Sequence, residues 1–248
     1  MNKKFKIKLF CPDLFLSTKA FQSTSRDSLL RESNSRASTS LSTLSFSGLS
    51  FLLLFLTIFF LCLSGCKSLP QPQKESKKLS RLLLEKGQLN SSELAEFFIL
   101  NNQQEDFEHI KTFAQVYIDE AASEGINSDV AFAQMCLETG FLRFGGLVQP
   151  EWHNYCGLGA MDTEHPGEIF ETEELGIRAH IQHLQAYATT ADVSLNKDLV
   201  DPRYNWVHKT KYAKSIEDLA GTWATDPEYG VKIDTILQRM EETDFSHQ

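Results

Sequence analysis

Between Phe107 and Gly140 apolar residues return every three or four positions, and this period leaves the chain few choices of fold. Phe107, Ile110, Ala114, Tyr117 and Ala121 hold the spacing until Gly125 stops them, which predicts an amphipathic helix ended by a glycine. Asn127-Ser128 then offers an N-cap for a second helix, on which Val130, Ala133 and Leu137 share one face up to Gly140. Upstream, Ser91 and Ser92 precede an acidic first turn and the apolar set Leu94, Phe97 and Phe98, the pattern of a short capped helix. Ile177, Ile181, Leu184 and Ala188 predict another before a polar loop through Asn196 and Pro202. Two signals announce a last helix carrying Ile233, Ile236, Leu237 and Met240. Ser215-Ile216-Glu217-Asp218 resembles a capping box, and Asp226-Pro227 places an N-cap ahead of proline at the first helical position.

The period fails between Phe141 and Phe170, where five glycines, two prolines and several aromatics take its place. The expected architecture is mainly α, with a small β or irregular lobe around residues 145–170.

Ahead of the helical part, Phe51 to Leu63 is an unbroken apolar run, short for a membrane span and of the length of a signal-peptide core. Leu63-Ser64-Gly65-Cys66 follows at once and resembles the bacterial lipobox, whose cysteine is lipidated and becomes the new N-terminus. The expected division is therefore a leader over 1–65, a polar linker over 66–79 and a folded domain over 80–248. On this reading the protein is exported and lipid-anchored at Cys66, facing the cell wall or periplasm. The leader is long for its class. Cys11 and Cys62 would leave with it, so only Cys136 and Cys156 remain as thiols, and two small buried packing residues are the preferred reading over a disulfide.

Residues 1–65 hold 8 of the 24 basic residues and 3 of the 33 acidic ones, leaving 16 against 30 downstream. A domain that acidic argues against nucleic acid as partner, because phosphate binding needs clustered Lys and Arg. The chain has no Gly-rich phosphate loop, GxSxG, HExxH or CxxC, and no cofactor or metal is expected; His180 and His183, at i and i+3, have no third ligand at a recognisable spacing.

Glu138 is the residue to which chemistry attaches. It ends the apolar stretch Ala131-Phe132-Ala133-Gln134-Met135-Cys136-Leu137 and precedes Thr139-Gly140 and the aromatic segment, so its carboxyl should lie at a lobe boundary, partly out of water. Desolvation raises a carboxyl pKa, and a carboxyl protonated near neutral pH is what protonation of a glycosidic oxygen requires.

Ala133-Gln134-Met135-Cys136-Leu137-Glu138-Thr139-Gly140 resembles the AQ-x-x-LE-[ST]-G segment of the bacterial glucosaminidases of autolysin and flagellar type, glycoside hydrolase family 73. Asn154 to Ala160 is similar to that family's N-x-F-G-I-[KG]-A segment, with Cys156 where an aromatic is common. Trp223-Ala224-Thr225-Asp226-Pro227-Glu228-Tyr229-Gly230 resembles its YATDP-x-Y-A block, and Gly176 to Ala188 resembles the helix between them. Coverage runs over about residues 91–243. The resemblance implies a lysozyme-like α-lobe with a small β-lobe, and hydrolysis of the β-1,4 bond on the reducing side of N-acetylglucosamine in peptidoglycan. Glu138 would be the general acid. A second carboxylate would come from Asp162, Glu164, Glu168 or Glu171, with Glu168 preferred, or the substrate's N-acetyl group would act instead. Tyr155 and Tyr229 would line the sugar subsites, and Asn154 would join them. The rival readings are a lytic transglycosylase and a peptidoglycan-binding lipoprotein without activity.

Overall fold

The computed structural model describes residues 77–190 and 192–245, so the leader and the lipobox cysteine, Cys66, lie outside the described residues. Six α-helices stand in the described part: α1 (Ser91–Asn101), α2 (Phe107–Glu124), α3 (Ser128–Thr139), α4 (Glu173–Ala188), α5 (Tyr204–Thr210) and α6 (Tyr229–Glu242). Two 3-10 turns, Pro150–Trp152 and Glu217–Leu219, join them. The expected mainly α fold is what the chain adopts.

The helix ends follow local chemistry. Asp106 Oδ1 accepts from the His109 N–H at the start of α2, and Gly125 closes that helix in the left-handed region at φ 73°. Asn127 caps α3 by accepting from the Asp129 and Val130 N–H groups, and Gly140 closes it at φ 60°. Phe141 and Leu142 continue in the left-handed region at φ 58° and 59°, a conformation that costs an L-residue about 1–2 kcal/mol. It is held by the Leu142 N–H on Thr139 Oγ1 at 2.9 Å and by Asn102 Nδ2 on the Phe141 carbonyl at 2.9 Å.

Three expected caps move. The capping box of α1 is Asn90 with Glu93, so Ser91 is the first helical residue rather than a cap. Asp226 does not cap α6: its carboxylate takes the Glu228 N–H at 2.9 Å and pairs with Lys232 at 2.6 Å, delaying the helix to Tyr229. Asp218 accepts from the Lys214 and Ser215 N–H groups, and the helix there stops after the 3-10 turn.

Helix α3 is the axis of the packing and touches α1, α2, α4 and α6. Every residue from Ser128 to Cys136 is buried, which corrects the expectation of a single apolar face. Ala131 and Ala133 are small enough to admit neighbours on all sides, while Leu137 and Glu138, nearer the helix end, stay half-exposed. The core extends to Leu79, one position before the expected domain start. Cys136 and Cys156 are both buried free thiols.

Among the described residues the segment between α3 and α4 forms no strand, so the irregular alternative holds. It has no periodic apolar face to pair; side-chain and backbone bonds fix it point by point. The Phe170 N–H reaches the Trp152 carbonyl at 2.9 Å and the Glu168 N–H reaches the Leu158 carbonyl at 2.9 Å. Helix α4 meets this lobe at Gly176, where an added Cβ would lie 1.8 Å from the His153 carbonyl oxygen. Gly176→Ala must force backbone apart, and we expect a loss of at least about 1–3 kcal/mol. Denaturant unfolding checks this: an unchanged midpoint would mean that the lobe does not rest on α4 there.

Candidate active site

Glu138 sits on the last turn of α3, half-buried. Its Oε1 accepts two hydrogen bonds, one from the Tyr229 hydroxyl and one from Trp223 Nε1 at 3.2 Å. Its Oε2 takes no hydrogen bond from a described residue and lies beside Gly157, 4.0 Å from where a Cβ on that glycine would stand. One oxygen is thus held by the protein, and the other faces the loop of residues 154–160. Burial pushes the carboxyl above its ordinary range, opposed by the Tyr229 and Trp223 bonds, which favour the ionised form. Burial thus favours the protonated group, while two donors stand ready to stabilise the carboxylate left when the proton departs.

Both donors are fixed from behind. The Trp223 indole packs against His183 with ring centres 4.8 Å apart, against Tyr187 at 5.2 Å and against His180 at 6.0 Å. The Tyr229 oxygen accepts from Gln134 Nε2 at 2.8 Å; Gln134 Oε1 meets His180 Nε2 at 3.1 Å; His180 Nδ1 meets the Tyr117 hydroxyl at 3.0 Å. Tyr117, His180, Gln134 and Tyr229 are each 0% exposed. The chain has one self-consistent polarity. Because Tyr229 donates to the carboxylate, its oxygen receives the Gln134 amide, which turns the Gln134 carbonyl toward a protonated His180 Nε2 and leaves Nδ1 to accept from Tyr117. Desolvation, with His183 nearby, pushes the imidazole down to about 3, so His180 is neutral at physiological pH, as this pattern requires.

The sequence placed Tyr155, Tyr229 and Asn154 against substrate, and the structure buries all three. Tyr155 is 3% exposed and stacks edge-on against Phe113 at 5.0 Å, so its ring belongs to the core and offers no face to a sugar. Tyr229 reaches the site only through its hydroxyl. Asn154, 1% exposed, accepts from the Leu158 N–H at 2.8 Å and donates to the Leu158 and Glu168 carbonyls at 2.9 and 3.1 Å. It clamps the 154–160 loop to the segment bearing Glu168.

Of the four candidate second carboxylates, Asp162, Glu164 and Glu171 are exposed, and Asp162 is engaged by His165 at 3.1 Å. Glu168 is half-buried, its Oε1 3.1 Å from where a Cβ on Gly159 would stand, on the same loop whose Gly157 adjoins Glu138. It lies in irregular chain and is held in place through the bonds of its backbone to Leu158 and Asn154. Cys156 is buried, and burial pushes its thiol well up, which removes it as a nucleophile. His183 gives Nδ1 to Asp201 at 2.7 Å, and no cluster of three or more His, Cys, Asp or Glu among the described residues could hold a metal ion.

Trp223, Gln134 and His180 were not read as site residues. The signal that could have found Gln134 was its place four residues before Glu138, a polar side chain in an otherwise apolar helix.

A family model described as mannosyl-glycoprotein endo-beta-N-acetylglucosaminidase matches residues 114–242, from the middle of α2 to the end of α6. An uncharacterized protein of Borreliella burgdorferi is 39% identical over 168 residues, which are 68% of this chain and 81% of that relative. No solved structure matches the chain.

Proposed function

The chain belongs to the glucosaminidase family, and from that premise we propose that it is a peptidoglycan hydrolase, an endo-β-N-acetylglucosaminidase cutting the β-1,4 bond on the reducing side of N-acetylglucosamine. The observation that carries the reading is the asymmetric setting of Glu138, with Oε1 bound to Tyr229 and Trp223 and Oε2 turned to the 154–160 loop.

Glu138 is the general acid. Its protonated carboxyl gives the proton to the glycosidic oxygen as the bond from that oxygen to the anomeric carbon breaks, and the leaving sugar departs as an alcohol. The carboxylate that remains is stabilised by the Tyr229 and Trp223 donors, which already point at it and need no reorganisation. Positive charge develops at the anomeric carbon, and Glu168 is the protein group that answers it, either by activating water or by direct attack. Water then completes the hydrolysis. Glu168→Gln should lower the rate by about 10²-fold or more, while Glu164→Gln and Glu171→Gln change it little. If all three variants stay near the parent rate, the second role passes to the substrate's N-acetyl group.

Export and a lipid anchor at Cys66 belong to the same reading, since the substrate lies outside the cytoplasm. No helix among the described residues is long and apolar enough to cross a membrane. Cys66→Ala should abolish fatty-acid labelling and leave an uncleaved precursor; normal labelling of that variant would remove the anchor from the account. A zymogram on peptidoglycan tests the activity itself: the full chain should clear a band, and an intact band would speak against hydrolysis.

A further inference from the structure

A groove lies between the 154–160 loop and α5, and its lining includes Trp223, which donates to Glu138, and Gly157, which adjoins it. The same lining takes in Arg203, Trp206 and Lys211, on α5 and just beyond its two ends. Trp206 is 54% exposed, a large indole left in water on a helix of seven residues. The Arg203 guanidinium carbon and the Lys211 ammonium each lie 5.8 Å from the centre of its ring. Neither cation has a carboxylate partner among the described residues, although acids outnumber bases in this chain by 33 to 24. Elsewhere among the described residues Lys77, Arg81, Arg178, Lys197 and Lys232 are ion-paired, while others such as Lys86, Lys111 and Lys214 are not. What sets Arg203 and Lys211 apart is that both stand over one exposed indole. The nearby carboxylate of Asp201 is turned inward, 1% exposed, onto His183 and the backbone N–H of Arg203.

Two cations over one exposed indole, in the groove that also holds Trp223 and Gly157 of the site, form a receptor for a sugar whose substituent carries negative charge. We propose that Arg203, Trp206 and Lys211 form a glycan subsite for a peptide-substituted sugar: the pyranose ring lies on the indole and the free carboxylates of the peptide meet the guanidinium and ammonium groups. The peptide-bearing lactyl sugar of peptidoglycan has that chemistry, whereas a neutral N-acetylglucosamine polymer does not. The inference rests on the peptidoglycan-hydrolase reading for its choice of ligand, and it adds how the strand is recognised and which residues recognise it. Charge-assisted contacts of this kind are worth enough for about a tenfold change in affinity.

The test is binding of the full chain to insoluble peptidoglycan, native and with its carboxylates capped as amides, using Glu138→Gln protein so that the strand is not consumed. Capping should weaken binding about tenfold. The double variant Arg203→Gln/Lys211→Gln should bind native strands about tenfold more weakly than its Glu138→Gln background and be indifferent to capping. Trp206→Ala should weaken both preparations equally, and Trp206→Phe, which keeps a ring for stacking, should recover most of the loss. A double variant that binds native strands like its background, or that remains sensitive to capping, overturns the subsite. So does a background protein that binds neither preparation. Failure of the hydrolase reading looks different: protein with Glu138 intact would bind in the pattern just described and release no sugar.

Discussion

Glu138→Gln is expected to give a folded protein that has lost at least about 10³-fold of its glycan-cleaving rate, because the amide keeps the shape of the carboxyl and has no proton to give. It still accepts from Tyr229 and Trp223 through its oxygen. Its stability should move in a direction that a damaged fold would not produce. Burial raises the Glu138 carboxyl in the folded state above the ordinary value of 4.5. The fold therefore favours the protonated form, and the parent loses stability as pH rises from 4.5 through the raised value. The amide has nothing to ionise and escapes that loss. The parent and Glu138→Gln should unfold alike in acid, and at neutral pH the variant should be equally or more stable. Urea titrations at the two pH values check this. A variant that is inactive and several kcal/mol less stable would point to a structural role.

The second large effect is expected from Tyr229→Phe. The ring stays in the core, but Glu138 Oε1 keeps only the Trp223 bond and Gln134 Nε2 loses its acceptor in a dry interior. A buried donor without a partner costs about 1–3 kcal/mol. The rate should fall by about 10²-fold, the scale for removing one preorganised donor from developing charge. The sign of the pH effect is set by what the hydroxyl does: its bond favours the ionised carboxyl, so removing it lets burial push the Glu138 pKa higher still. Activity requires the protonated form, and the alkaline fall of kcat should therefore move to higher pH. An alkaline limb that does not move would separate Tyr229 from the acid.

What the sequence disclosed, and what it hid, follows from range. The helices through Phe107–Ala121 and Ile177–Ala188 were legible because their stripes are local and each burial repeats every turn. Glu138 was legible as a charged residue at the edge of an apolar helix. The Gln134–His180–Tyr117 chain was not, since its members lie 46 and 63 residues apart and only packing of α3 against α2 and α4 brings them together. Tyr155 misled for the same reason: an aromatic beside glycines reads the same whether it faces a cleft or Phe113. The lobe between α3 and α4 is built from single side-chain clamps such as Asn154, which leave no period to read. Trp206 lies just past the polar loop read through Asn196 and Pro202 and drew no reading, because α5 is too short for its stripe to register.

The central claim is that this chain adds water across the bond on the reducing side of N-acetylglucosamine, with Glu138 supplying the proton. Mass analysis of the products released from purified peptidoglycan by the full chain tests it most directly. The account predicts fragments that end in a reducing N-acetylglucosamine and carry the mass of one added water, absent when Glu138→Gln protein is used. Fragments ending in an anhydro sugar, in a reducing muramic acid, or released equally by the variant would contradict it.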